Sequence, residues 1–98
     1  MLVHTVYFWL KSDLNEEQQK AFHAGVASLA GIACAEQVYI GTPAETDRPV
    51  IDKSYDIGLT VLLEDMAAHD AYQVDPLHLA FLENYRSFWE KIVIYDAD

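Results

Sequence analysis

Apolar residues recur along this chain in two rhythms, every second position and every third or fourth, and the switches between them mark the elements. LVHTVYFWL (2–10) is β-branched and aromatic and too short for a stable helix, so it predicts a strand. Its faces are Leu2, His4, Val6, Phe8, Leu10 and Val3, Thr5, Tyr7, Trp9. Neither face is polar, so the strand needs cover on both sides. Lys11 to Leu14 form a turn. Asn15 then N-caps a helix with Gln18 at its third position and acidic residues in the first turn, where the helix dipole favours them. Phe22, Val26 and Leu29 make one apolar stripe, and Gly31 is the expected stop.

AEQVYIG (35–41) predicts a second strand, residues 42–53 a loop with Pro43 and Pro49, and SYDIGLTVLLE (54–64) a third strand. In that strand Tyr55, Ile57, Leu59, Val61 and Leu63 share one face. The other face is smaller, and Gly58 on it lets a neighbour approach closely. DMAAHDAYQV (65–74) predicts a helix capped by Asp65. Asp75-Pro76 restarts the chain as N-cap and first residue of another helix, Leu77 to about Arg86. WEKIVIYD (89–96) is the fourth strand.

The order is β-α-β-β-α-β with the last helical region split, an α+β ferredoxin-like arrangement. Helices then cover one sheet face only. Tyr7, Trp9, Val93 and Tyr95 are candidates for the uncovered face, and pairing two such faces predicts a homodimer.

Composition sharpens this. The 98 residues suit one domain, and a hydrophobic content of 52% exceeds what so small a monomer easily hides. Six basic against sixteen acidic residues give a net charge of −10, which argues against nucleic acid and against an acidic membrane surface as partners. Cys34 is the lone cysteine, so no disulfide framework is expected. The opening run is strand-like, with no basic segment and cleavage site before it, and no apolar stretch reaches the length of a membrane span. A cytoplasmic protein is expected.

The candidate chemistry lies in YQVDPLHLAF (72–81). His78 falls in a helix first turn beside Leu77 and Leu79. It is either a packed, hydrogen-bonded imidazole or a general base kept neutral by the helix dipole. Tyr72 is either a core aromatic or a phenol that steadies a developing oxyanion. Asp75 is a cap. His4, on the face of Val6 and Phe8, is a satisfied core residue or a pocket group. His23 and His69 sit on acidic helices and are expected in solvent. No histidine pair has the spacing of a zinc site such as HExxH, and His4 with His78 supplies too few ligands, so no metal is expected. Phe22, Val26, Leu59, Phe81, Trp89 and Ile92 are core residues that can also wall a ligand cavity.

VHTVYFWLK, SYDIGLTV, the YxxxPxH spacing of Tyr72, Pro76 and His78, and the closing YRSFWEKIVIYD (85–96) resemble the stress-responsive dimeric α/β-barrel family, Dabb, from end to end. The resemblance implies a single Dabb domain over residues 1–98, in which two sheets close a dimeric α/β barrel with helices outside. YRSFWEK is especially similar to the ending of a plant polyketide cyclase of that family. That likeness implies intramolecular aldol cyclisation of a polyketide thioester with no cofactor. The implied catalytic residues are His78 and Tyr72, with His4 as an implied pocket histidine; together with the core residues named above, the expected substrate-binding set is His4, Ile57, Leu59, Phe22, Val26, Phe81 and Trp89. Ile57 stands where that cyclase has a further pocket histidine, which makes the pocket less polar. Some relatives resemble one another in holding a cation on backbone carbonyls, which corresponds here to the vicinity of Leu29, Ile32 and Ala35. Four readings stay open at this level. They are a cofactor-independent cyclase, lyase or isomerase on a small oxo compound, a related cofactor-independent monooxygenase, a binding protein for a small apolar or oxo ligand, and a non-enzymatic stress-associated homodimer.

Overall fold

The computed structural model describes residues 1–98. Its elements run β1 (Leu2–Leu10), α1 (Glu16–Ala27), β2 (Gln37–Gly41), β3 (Ile57–Leu63), α2 (Met66–Val74), α3 (Pro76–Tyr85) and β4 (Trp89–Ala97). The strands form one antiparallel sheet in the order β2-β3-β1-β4, the ferredoxin-like topology. No helix is long and apolar enough to cross a membrane.

β1 pairs on both sides. His4 stands opposite Val61 of β3 and Asp96 of β4, and Phe8 opposite Ile57 and Ile92. Leu2, His4, Val6 and Phe8 are buried toward the helices, as are Ile57, Leu59, Val61 and Leu63. Phe22, Val26 and Leu29 meet them from the stripe beginning in α1. Aromatic rings fill the centre of this layer: Phe8 lies edge-on to Phe22 at 5.2 Å and tilts against Trp89 at 5.1 Å between centroids.

Caps follow the chain's polar punctuation. Asn15 and Gln18 form the full capping box on α1. Asp65 accepts from the Ala68 amide at 2.9 Å to start α2. Asp75 ends α2 and starts α3. Its amide donates to the Tyr72 carbonyl at 3.3 Å, and its carboxylate accepts from the Leu77 amide at 2.9 Å. An extended backbone at Asp75 (φ −62°, ψ 139°) is what a residue before proline prefers.

Five expectations change. Gly31 does not stop α1 through a left-handed cap: α1 ends at Ala27 and tightens into a 3₁₀ turn over Ser28–Gly31, with no glycine at positive φ. The Ile32 amide bonds the Leu29 carbonyl and the Ala35 amide bonds the Ile32 carbonyl. This second turn delays β2 to Gln37. β3 starts at Ile57, not residue 54, because polar side chains take the backbone first. Ser54 donates its amide to Asp52, and Asp56 accepts from the Leu10 amide at 2.7 Å. Tyr55 therefore does not share the face of Ile57. It lies on the helix-free face, tilted against Tyr7 at 4.8 Å, where both rings pass close to the missing Cβ of Gly58. The loop before β3 thus covers part of a face expected to be bare. Trp9 Nε1 donates to Ser54 Oγ, and Lys91 Nζ sits 4.5 Å above the Trp9 ring. The rest of that face stays open, with Tyr95 65% exposed.

Gly25 is buried in α1 against Tyr85, and a Cβ there would stand 2.4 Å from the ring. Alanine ordinarily gains about 1 kcal/mol over glycine within a helix. Here the ring would have to leave its place against Phe22, Phe81 and Phe88. Gly25→Ala should therefore lower stability by about 1–2 kcal/mol. Urea unfolding followed by tryptophan fluorescence reads the change, and an increase in stability would show that Tyr85 is free to move.

Candidate functional site

The corner at Asp75-Pro76 turns the last turn of α2 and the first turn of α3 toward β1. Tyr72 arrives from α2 and His78 from α3, with ring centroids 5.0 Å apart. His4 arrives from β1, 5.6 Å from Tyr72. These three line a cavity of about 120 Å³ between helices and sheet, together with Leu59, Phe81 and Trp89. Further walls come from Leu29, Leu82, Ile92 and Ile94. The lining is mostly apolar with few polar groups, the composition of a small-ligand site.

The polar atoms at this site are poorly served by the protein. Tyr72 is fully buried and His78 is 9% exposed. The Tyr72 hydroxyl and His78 Nδ1 are both buried without a hydrogen-bond partner. Unpartnered buried polar atoms are rare and cost about 1–3 kcal/mol each. Both atoms here belong to side chains whose ring centroids lie 5.0 Å apart at one cavity.

Burial sets the protonation of both groups. It pushes the Tyr72 phenol far above its usual range, with the nearby Cys34 thiol adding to the effect, so Tyr72 remains a neutral O–H donor. Burial also lowers the His78 pKa, more strongly than hydrogen bonding of the imidazolium to the Gln73 backbone raises it, although Nδ1 has no partner at hydrogen-bond geometry in this structure. His4 lowers it further and Asp75 works the other way. His78 is the third residue of α3, where the dipole also opposes an imidazolium. The pair at neutral pH is a neutral base beside a neutral acid.

Of the remaining sequence candidates, Ile57, Phe22 and Val26 do not line this cavity. Ile57 pairs with Phe8, two hydrogen-bonded rows beyond the His4–Val61 pair on the same face. It faces a separate surface cleft with Leu10, Lys11 and Thr42. Phe22 and Val26 are wholly buried within the core. His23 is exposed as expected, but His69 is not: its side chain is only 15% exposed, and its ring lies 5.4 Å from that of His4. Sequence reasoning also missed Asp96, whose carboxylate meets His4 Nδ1 at 2.5 Å. Its signal was the alternation Ile92, Ile94, Asp96 in β4, which follows the helix-side face once β4 is set against β1.

Comparison with known proteins places this arrangement. Residues 2–98 match the family described as the stress responsive A/B barrel domain, Dabb. The chain belongs to the Dabb family. This Dabb chain is 31% identical to olivetolic acid cyclase of Cannabis sativa over 98 residues, covering 95% of this chain and 91% of that protein. Among solved structures, an Arabidopsis thaliana protein superposes with a TM-score of 0.82 at 17% identity, over 100% of this chain and 94% of that one. A Dabb protein with a ferredoxin-like fold from Mesorhizobium loti gives 0.80 at 26%, over 99% and 94% of the two chains. The hydroxynitrile lyase of Passiflora edulis gives 0.79 at 22%, over 98% and 90%. A neighbour from Thermobifida fusca is described as a dimeric ferredoxin-like protein.

If the Tyr72 hydroxyl is kept for a ligand and not for the fold, removing it should leave the folded chain no less stable. Tyr72→Phe is expected to be neutral or stabilising by about 1 kcal/mol. Denaturant midpoints of the two proteins test this, and a clear loss would reveal a structural partner for the hydroxyl.

Proposed function

We propose that this Dabb protein is a cofactor-independent lyase or cyclase that makes or breaks a bond at the carbon of a small carbonyl compound, with His78 as general base and Tyr72 as oxyanion donor. The observation that carries the reading is the pair of buried, unpartnered polar atoms at one cavity, one on a neutral base and one on a neutral acid. Ring closure by aldol addition and cleavage of a hydroxynitrile ask for the same two services. A base moves a proton on or off the reacting molecule, and a donor holds the oxygen whose charge changes as the carbonyl is consumed or formed. The likeness to a cyclase and to a hydroxynitrile lyase supports that class. His4, Leu59, Phe81 and Trp89 serve as walls. A cavity of about 120 Å³ favours a compact substrate over a long polyketide chain.

The working unit in this reading is a homodimer of single Dabb domains. The open face carries Val3, Tyr7, Trp9, Val93 and Tyr95, half-buried or exposed in one chain, and the dimeric neighbours support pairing through it. An unpaired Cys34 suits a reducing, cytoplasmic setting. Light scattering should give twice the chain mass, and Val93→Glu should shift the protein to the monomer. A wild-type monomer at micromolar concentration would exclude this assembly.

Turnover of a panel of aromatic cyanohydrins and β-oxo thioesters tests the chemistry. His78→Ala should lower kcat by about 10²–10⁴ and Tyr72→Phe by about 10²–10³, both with the wild-type circular dichroism spectrum. Because His78 has a folded-state pKa below its ordinary value of about 6.5, its base form is already full at neutral pH. The rate should be flat around pH 7 and fall only on acidification through that lowered value. Saturable ligand binding with no turnover anywhere in the panel would instead make this a binding protein, and undiminished turnover in both variants would remove the pair from the mechanism.

A further inference from the structure

His4, His69 and Asp96 lie far apart in sequence, on β1, α2 and β4, yet one donor atom from each falls within 4.8 Å of the others. We propose that these three residues form a binding site for a divalent transition-metal ion such as Zn²⁺ or Co²⁺. The inference does not need Tyr72 or His78 to be catalytic, although it shares His4 with the cavity wall.

The donor set chooses the class of ion. Two imidazoles and one carboxylate suit zinc and its first-row neighbours, whereas calcium and magnesium take oxygen ligands. Spacing agrees in part already. His69 Nε2 stands 3.4 Å from Asp96 Oδ2, about the separation of two ligands at tetrahedral angles around an ion roughly 2.1 Å from each. His4 Nδ1 and Asp96 Oδ1, at 2.5 Å, would open by about 1 Å as an ion replaced their shared proton. Asp96 is the residue able to move, since it sits near the end of β4 with its side chain 39% exposed.

Orientation of His69 is the second observation. Its Nδ1 lies 3.2 Å from the Asp70 carboxylate, the outer-shell contact that holds a ligating imidazole in one tautomer. With Nδ1–H donating to Asp70, the Nε2 lone pair faces the Asp96 carboxylate. In that tautomer a metal ion between the two atoms makes their contact attractive; in the other, Nε2–H donates to Asp96. Access remains open in the proposed dimer. Asp96 pairs with His4 and so lies on the helix side of the sheet, away from the face that carries Tyr7 and Tyr95. A bound ion would rest at the end of the cavity wall, beside the Tyr72 ring.

Untagged protein titrated with Co²⁺ and, by calorimetry, with Zn²⁺ decides the matter. One ion per chain is expected, with visible Co²⁺ bands of low-coordinate geometry and a higher thermal midpoint. His69→Ala and Asp96→Asn should each weaken binding roughly tenfold or more, since loss of a direct ligand costs at least what loss of an outer-shell partner does. His23→Ala, on the exposed face of α1, should change nothing. Asp96→Asn keeps its size and position, so it carries the test if His69→Ala unfolds. No binding of either ion up to millimolar concentration overturns the site, as does binding that survives both ligand substitutions. In that case the proton alone joins His69 to Asp96.

Discussion

β1 is hydrogen-bonded on both edges, and its alternation fixes where every other group in the molecule can stand. A slip of one residue would send His4 to the helix-free face and Tyr7 into the core, so pairing with β3 and β4 locks the register from two sides at once. Val6 and Phe8 supply the floor of the cavity, and Phe8 also anchors the aromatic cluster through Phe22 and Trp89. His4 takes both Tyr72 and Asp96 as neighbours from that one position. The same strand's odd residues make the surface on which a second copy is expected to pack. Core, cavity and open face are three consequences of one period-two pattern.

Against that fixed floor, the Asp75 corner is what brings the acid and the base together. Proline at the first position of α3 loses no hydrogen bond, and Asp75 serves the end of one helix and the start of the next. The turn therefore needs nothing from the side chains beside it. The Tyr72 hydroxyl and His78 Nδ1 take no part in that corner's hydrogen bonds and have no partner of their own. Water would bind such groups as readily as a ligand, so the apolar walls matter as much as the polar pair. Leu59, Phe81 and Trp89 keep the local environment poor in solvent, and that environment is why His78 stays neutral and Tyr72 stays protonated.

Much of this was legible in the sequence because it is local. The element order, the Asn15, Asp65 and Asp75 caps and the two-sided apolar character of β1 all follow from residues within a few positions of one another. Tyr72 and His78 could be paired because a single corner separates them. What failed depends on distance along the chain. Tyr55 looked like a continuation of β3, but Ser54 and Asp56 are taken by Trp9 and Leu10 of the distant β1, and the chain bends at Asp56 before the strand begins. Ile57 was grouped with the pocket, yet its row is set by pairing with Phe8, closer to the opposite end of β1. His69 looked like a surface histidine because its helix also carries the acidic residues Asp65 and Asp70. Its surroundings in space are His4 and Asp96, and only the register of β4 against β1 brings Asp96 there.

That register also bears on what the cavity can accept. Phe81 and Trp89 stack at 5.9 Å and close one side, and Leu29 closes another. The walls on the β4 side are different: Ile92 is 37% and Ile94 50% exposed, because no helix lies over that edge of the sheet. A ligand of a few heavy atoms can lie wholly inside, beside Tyr72. A longer one would have to run out along Ile92 and Ile94, leaving its tail in solvent or against whatever covers that edge. On the proposed function, selection between short and long substrates would rest on the β4 edge and not on Tyr72 and His78. Two Dabb chains with the same tyrosine and histidine would, on that function, differ in substrate through this edge of the cavity and not through the polar pair.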